Sequence, residues 1–363
     1  KRCVMPNTRP RVVFDDEGVC NACRNAELKP RIDWDARREE FVKFVASYRH
    51  RGPYDCIVPW SGGKDSSSIA YKLKTEFGLR PLLTTFSPLL PNDLGTYNRE
   101  ALLRVGFDQV MTRPDQQVSR HLAQRMFLER GNPKVHWDAG VAAYPLQVAA
   151  RYRIPLVVYA EHGPSEYGGR VLSEEHKKMQ LMSEVLENQI GDDPSNWIDD
   201  VVGERDLAPY VMPDTAELDA VGVKAIYFSY FFRWSMLENY RYIADKFDFR
   251  TDPRGRTDGT FTDFDSLDDK IDNLYYHMQF IKFGFGRATR DACRMIQNGQ
   301  LTRDEALDLA RKYDDEYPAQ FLLENLDYLG LDEKSFNDIV DKHRNSEIWK
   351  FEGNQWKLRH PPQ

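Results

Sequence analysis

VPWSGGKDSSS, running from Val58 to Ser68, places two glycines, a lysine and an acid among four serines. It follows the β-favouring run Cys56-Ile57-Val58 and precedes the helix-like IAYKLKTEF. Glycines let a backbone approach a ligand closely and turn its N–H groups toward an anion. The helix that follows adds its positive N-terminal end. In an open α/β sheet, ligands bind beyond the carboxyl ends of the strands, where such helices begin. Lys64 supplies a point charge, the hydroxyls of Ser61, Ser66 and Ser67 can donate hydrogen bonds, and Asp65 is placed to hold Mg²⁺ beside a nucleotide polyphosphate. The run is not a Walker loop, which needs G-x-x-x-x-G-K-[ST].

Outward from this turn, strand-like YDCIVPW, LRPLLTTFS, FDQVMTRP and RIPLVVYAE alternate with helix-like stretches at about 66–78, 94–105, 116–130 and 140–152. That alternation predicts an α/β fold with a doubly wound, mostly parallel sheet over residues 51–230. Residues 1–50 hold a cysteine-rich opening and the amphipathic WDARREEFVKFVASY, and residues 231–363 read as mainly helical. Thr251–Asp265 is expected to form the longest loop, and the apolar-aromatic AIYFSYFFRW to form core or a pocket wall.

The 363 residues suggest two domains, or one large domain with appendages. A hydrophobic share of 41% and a charged share of 29% describe an ordinary globular chain. No apolar run approaches the roughly 18 residues of a membrane span. The net charge of −7 weighs against a large nucleic-acid partner, which calls for a basic face. Five cysteines in so long a chain make no disulfide scaffold, so a reduced, cytoplasmic protein is expected.

Cys20 and Cys23 form a C-x-x-C in the polar turn GVCNACR, with Cys3 seventeen positions earlier. Three thiolates in a knuckle-like setting point to structural Zn²⁺, with a fourth ligand still to be found. The chain opens Lys-Arg-Cys, and a cysteine immediately before Lys1 would complete C-x-x-C…C-x-x-C; Cys293 or a histidine is the fallback. Cys56, inside an apolar strand, reads as a small buried residue.

SGGKDS resembles the SGGxDS loop of the N-type (PP-loop) ATP pyrophosphatases, which cleave ATP between its α and β phosphates to activate a carbonyl oxygen. Further segments narrow the likeness: RCVMPNTRP…FDDEGVCNACR, AEHGPSEYGGR, VGVKAIYFSYFFRW and KFGFGRATRDACRMIQNGQLTRDEALDLARKYD. Together they resemble the N-acetyl sugar amidotransferases of bacterial O-antigen and nonulosonic acid pathways, over nearly the whole chain. Members of that family begin with C-x-x-C and read RATD after FGFG, whereas this chain has RATR at Arg287–Arg290.

The resemblance implies adenylation of an acetamido oxygen on a sugar, then displacement of AMP by ammonia. Lys64 and Mg²⁺ would serve the pyrophosphate, and Phe86 and Ser87, at the end of the second strand, would meet the adenosine. Glu161 and Glu166 are candidates for holding Mg²⁺, orienting ammonia or acting as general base. Gly163, Gly168 and Gly169 would let the backbone approach the substrate, while Lys224, Arg233, Lys282 and Arg287 are the cations for its carboxylate or phosphates. No glutaminase signature occurs in the chain, so a separate glutaminase subunit is implied as the ammonia source. Two rivals remain at this level: a sulfur-transferring relative acting on tRNA or a small molecule, and a non-catalytic nucleotide-binding subunit.

Overall fold

The computed structural model describes residues 2–169, 171, 173–180 and 191–361. Its centre is a five-stranded parallel sheet in the order β3-β2-β1-β4-β5. The strands are β1 (Cys56–Pro59), β2 (Pro81–Phe86), β3 (Asp108–Thr112), β4 (Leu156–Tyr159) and β5 (Lys224–Tyr227). Alternate residues of β1, β2 and β4 enter different cores. Val58, Leu83, Leu156 and Val158 pack with Ile69, Leu73 and Phe41 on one face. Ile57, Leu82 and Val157 pack with Leu146, Ala149 and Leu218 on the other. Both faces are therefore covered, as parallel sheets require, and the strands read as continuous apolar runs for that reason.

The chain runs from β1 out to β3, then returns to place β4 on the opposite side of β1. The carboxyl ends of β1 and β4 thus lie side by side where the winding reverses, the place at which open α/β sheets form their crevice. The fifth strand comes from the segment read as core or pocket wall, and its Lys224 end lies exposed at the sheet edge. The helix expected from about residue 140 starts earlier, spanning Val135–Tyr152.

From Met236 onward the structure is mostly helical, closed by the antiparallel hairpin β6 (Trp349–Glu352) and β7 (Gln355–Leu358), which the sequence reading did not anticipate. The Thr251–Asp265 stretch contains no helix or strand, as expected. It continues to Asp272 along the segment that follows β2. There Lys270 N donates to Leu90 O at 2.9 Å, Asn92 N to Asp268 O at 3.0 Å, and Leu89 N and Leu90 N to the Asp269 carboxylate at 3.0 Å each. Among the described residues no helix is long and apolar enough to cross a membrane.

Candidate functional site

A cavity of about 550 Å³ opens over the carboxyl ends of the strands. Its floor is the turn from Trp60 to Ser66, between β1 and the helix Lys64–Thr75. Gly63 caps that helix and offers no side chain to take up the first amides, so they are left for a ligand. Gly62 has φ +95°, and a Cβ there would come within 2.4 Å of Arg99 Cγ. Arg99 braces the turn from beneath by donating to Ser61 O at 3.3 Å. Among the described residues the Ser66 hydroxyl, on the cavity wall, has no hydrogen-bond partner, nor does that of Thr84, which also lines the cavity and is 2% exposed.

Lys64 is buried at 2% exposure and reaches two carboxylates, Asp65 Oδ2 at 2.8 Å and Asp265 Oδ1 at 2.5 Å. Burial works against its charge, but Asp265 and Asp65 outweigh it and hold the ammonium above its ordinary pKa. Asn239 donates to the other oxygen of Asp65 at 2.9 Å.

The wall opposite the turn comes from the C-terminal part, as Phe264, Asp265, Ser266, Leu267, Asp268 and Asp272. It fits because Gly95, on the helix Asp93–Arg104, has no side chain; a Cβ there would lie 2.3 Å from Asp268 Cα. Trp137, Val141, Ala142 and Pro145 of the helix Val135–Tyr152 form an apolar flank beside Phe86, with Asp138 the one acid among them. At this end Lys134 pairs with Asp272, and with Asp269 at 3.8 Å. Burial pushes Asp138 up to about 7 against the pull of Lys134. Burial and then the Asp272 charge do the same to Asp268, also to about 7.

Glu161, just past β4, closes the cavity beside Asp65. Burial first, and the Asp65 charge second, push its carboxyl up to about 7. The Tyr167 hydroxyl donates to Glu161 Oε1 at 2.5 Å, and the Arg294 guanidinium lies 3.8 Å from the centre of the Tyr167 ring. Glu161 therefore sits near its midpoint at neutral pH, where a carboxyl can both give and take a proton.

Of the residues singled out in the sequence, the structure brings Ser61, Gly62, Gly63, Lys64, Asp65, Ser66, Phe86 and Glu161 to this one cavity. The others lie elsewhere. Ser67 accepts from Trp60 Nε1 at 2.8 Å, and the Ser87 hydroxyl donates to Pro88 O at 3.1 Å, both below the lining. Glu166 turns away from the cavity and pairs with Lys29 at 2.5 Å, both side chains being about one-tenth exposed or less. His162 is buried with its Nδ1 2.6 Å from Ser165 Oγ. Gly168 sits against Val12 and Asn21, and Gly169 O accepts from Asn21 Nδ2 at 3.0 Å, so these glycines receive the N-terminal segment. Lys224 and Arg233 are exposed, and Lys282 donates to Arg130 O at 2.6 Å.

Arg287 is buried beneath the cavity and donates to Asp265 O at 2.7 Å, so it supports the wall from behind. The residues that sequence reasoning missed are mostly on or around that wall: Asp265, Asp268 and Asp272, with Lys134, Asp138 and Arg99 facing them. A crowded run of acids, DFDSLDDKID, was the available signal, but charge runs are ordinarily solvated faces.

The sulfurs of Cys3, Cys20 and Cys23 lie within 4.8 Å of one another, all buried, with Cys3 and Cys20 Sγ 3.6 Å apart. Sulfurs on a tetrahedral Zn²⁺, with bonds near 2.3 Å, stand about 3.8 Å apart, so the three thiols fit a structural metal. Cys293 approaches Cys3 from the helix Arg287–Gln297 but falls outside the three-sulfur group.

A comparison with curated proteins finds no match. Residues 258–360 match the family model described as LPS biosynthesis protein WbpG-like, C-terminal domain. This stretch is less than a third of the chain, yet it holds the whole acidic wall together with Arg287 and Arg290. The likeness supports a place for this protein among lipopolysaccharide-biosynthesis proteins.

Proposed function

We propose that this protein is a PP-loop ATP pyrophosphatase acting as an N-acetyl sugar amidotransferase. One observation carries the reading: a glycine-capped helix start and a buried lysine face a carboxyl poised near neutrality across a single cavity at the reversal of a parallel sheet. The turn amides, Lys64 and the partnerless Ser66 and Thr84 hydroxyls suit a nucleotide polyphosphate. The apolar flank of Phe86, Trp137, Val141 and Ala142 suits the base. Six carboxyl residues against two lysines make the lining acidic, and an anionic ligand enters such a site only with divalent cations; Asp65 and Asp265 would hold Mg²⁺. Bound there, Mg²⁺ would neutralise charge on the phosphates.

In the reaction, an acetamido oxygen of the sugar takes the adenylyl group and pyrophosphate leaves. Ammonia then adds to that carbon, and AMP departs with the oxygen, giving an acetamidino sugar. The residues would position the partners and stabilise charge at the transferring phosphorus. Glu161, backed by Tyr167, would take the proton that nitrogen loses on attack. Ammonia would come from a separate glutaminase subunit, and an N-acetylated sugar nucleotide would be the acceptor. The thiolase alternative needs a cysteine at the nucleotide. Among the described residues none lines the cavity, and burial pushes the Cys56 thiol up, out of its reactive form.

The test incubates the purified chain with ATP, Mg²⁺, ammonium and a panel of N-acetylated sugar nucleotides, followed by mass spectrometry. AMP together with a sugar in which one oxygen has become NH establishes the reading. AMP appearing only with a sulfur donor and tRNA replaces it with thiolation. No AMP even with a glutaminase added overturns both.

A further inference from the structure

The apolar flank of the cavity has a single break. Trp137, Asp138, Val141, Ala142 and Pro145 share one face of the helix Val135–Tyr152, and Asp138 alone among them is ionisable. The rings around it are held in place. Trp137 Nε1 donates to Ser87 O at 2.9 Å. Phe86 lies so close over Gly140 that a Cβ there would come within 2.1 Å of its ring. The Phe86 ring centre also stands 6.4 Å from that of Tyr144 and 5.8 Å from that of Tyr210. Asp138 itself is not engaged within the protein. Among the described residues its carboxyl makes no hydrogen bond, and Lys134, one turn earlier, is bonded to Asp272 and reaches Asp138 only through its charge. A carboxyl set in so apolar a surface costs free energy unless a partner arrives.

We propose that Asp138 recognises the nucleotide base: with the purine laid against Phe86, Trp137 and Val141, its carboxyl accepts a hydrogen bond from an exocyclic amine and selects ATP over a triphosphate whose purine lacks that amine. The proposal rests on the nucleotide reading of the turn and names the group that reads the base. Apolar and aromatic side chains bind any purine by its faces, whereas hydrogen bonds to the ring's edge tell one purine from another. Adenine offers there a 6-amino donor beside the N1 acceptor. A carboxylate accepts from the amine. The acid form, which burial favours by pushing Asp138 up to about 7, also donates its O–H to N1. The other acids of the lining are engaged or lie elsewhere. Asp65 and Asp265 pair with Lys64, Asp272 pairs with Lys134, Glu161 accepts from Tyr167, and Asp268 stands on the wall opposite the turn.

The experiment measures the binding of ATP and of purine riboside triphosphate, which lacks the 6-amino group. Isothermal titration with Mg²⁺ and no sugar is run on wild type, Asp138→Ala and Asp138→Asn. Wild type should bind ATP about 10-fold or more tightly than the riboside triphosphate. Asp138→Ala should bind the two alike. Asp138→Asn, whose amide accepts and donates as the acid does, should keep the preference. Equal binding of the two by wild type, or a preference that survives in Asp138→Ala, overturns the inference and leaves the nucleotide reading intact. Binding of neither by wild type removes that reading, and the inference with it. A preference lost in Asp138→Asn assigns the effect to charge and also overturns the inference. Should Asp138→Ala not fold, Asp138→Leu, which suits this apolar face, takes its place, and the wild-type comparison refutes the inference by itself when the two ligands bind alike.

Discussion

The cavity holds two buried lysines, each between two carboxylates, and their surroundings divide their roles. Lys64 stands on a glycine-capped helix start, and its partner Asp265 is supported independently by Arg287 and Arg290. Lys134 stands among the acids Asp272, Asp269, Asp268 and Asp138, with Arg99 as the one other cation acting on Asp268 and Asp269 among the described residues. Asp269 also ties down Leu89, Leu90 and Ile271 through their amides. Were Lys64 drawn away, its carboxylates would keep other partners, Asp265 its Arg290 and Asp65 its Asn239. Lys134 has no such freedom, since its departure strands buried negative charge. A buried lysine–carboxylate contact is thus exchangeable or structural according to what else holds the acid.

The largest expected effect is at Lys64. Lys64→Ala should lower AMP formation by about 10³-fold or more, as loss of a charged stabiliser of the transferring phosphate does. Asp265 keeps its arginines and Asp65 keeps Asn239, so the thermal midpoint should stay close to wild type. Near-normal turnover by that variant would remove the contrast altogether. Lys134→Met should instead cost about 3–5 kcal/mol in urea denaturation, the usual consequence of breaking a buried pair from one side. A change below about 1 kcal/mol would show that the acids at that end are protonated and need no cation.

Glu161→Gln tests the carboxyl poised between the two ends. At fixed free ammonia, wild-type turnover should rise with pH through about 7 as Glu161 ionises. The variant should lose that rise and fall by about 10²-fold above it. Asp138→Asn probes the Lys134 end by pH. An acid whose folded pKa is raised to about 7 holds its proton in the native state and forces the charged form on it above that value. Stability therefore falls as pH climbs from the ordinary carboxyl range through 7. The variant's urea midpoint should exceed that of wild type most at pH 8, by less at pH 5, and meet it only below the ordinary carboxyl range. The smallest effects belong to Lys224→Ala and Arg233→Ala, both exposed: within about 0.5 kcal/mol of wild-type stability. A large rise in sugar KM in either variant would show that the substrate extends to this edge, outside the cavity.

The strand–turn–helix unit around VPWSGGKDSSS, the α/β sheet and the three-cysteine group were legible in the sequence, because each rests on neighbours in the chain. Apolar runs bounded by turns, a glycine pair before a helix, and thiols three residues apart are local patterns that survive without knowledge of the rest. What the tertiary structure alone decided is which charges meet. Glu161 and Glu166, five residues apart on one loop, end on opposite sides of it. One faces the cavity near neutrality, and the other is spent on Lys29 from the N-terminal segment. Asp265 meets Lys64 across 201 positions of sequence, and Lys134 meets Asp272 across 138. The acids of DFDSLDDKID form a wall only because Gly95 lets their backbone close on the helix beside the turn. Sequence spacing carries short-range geometry; electrostatic pairing in a buried cavity depends on distances of a few ångströms between remote segments, and those are set by packing.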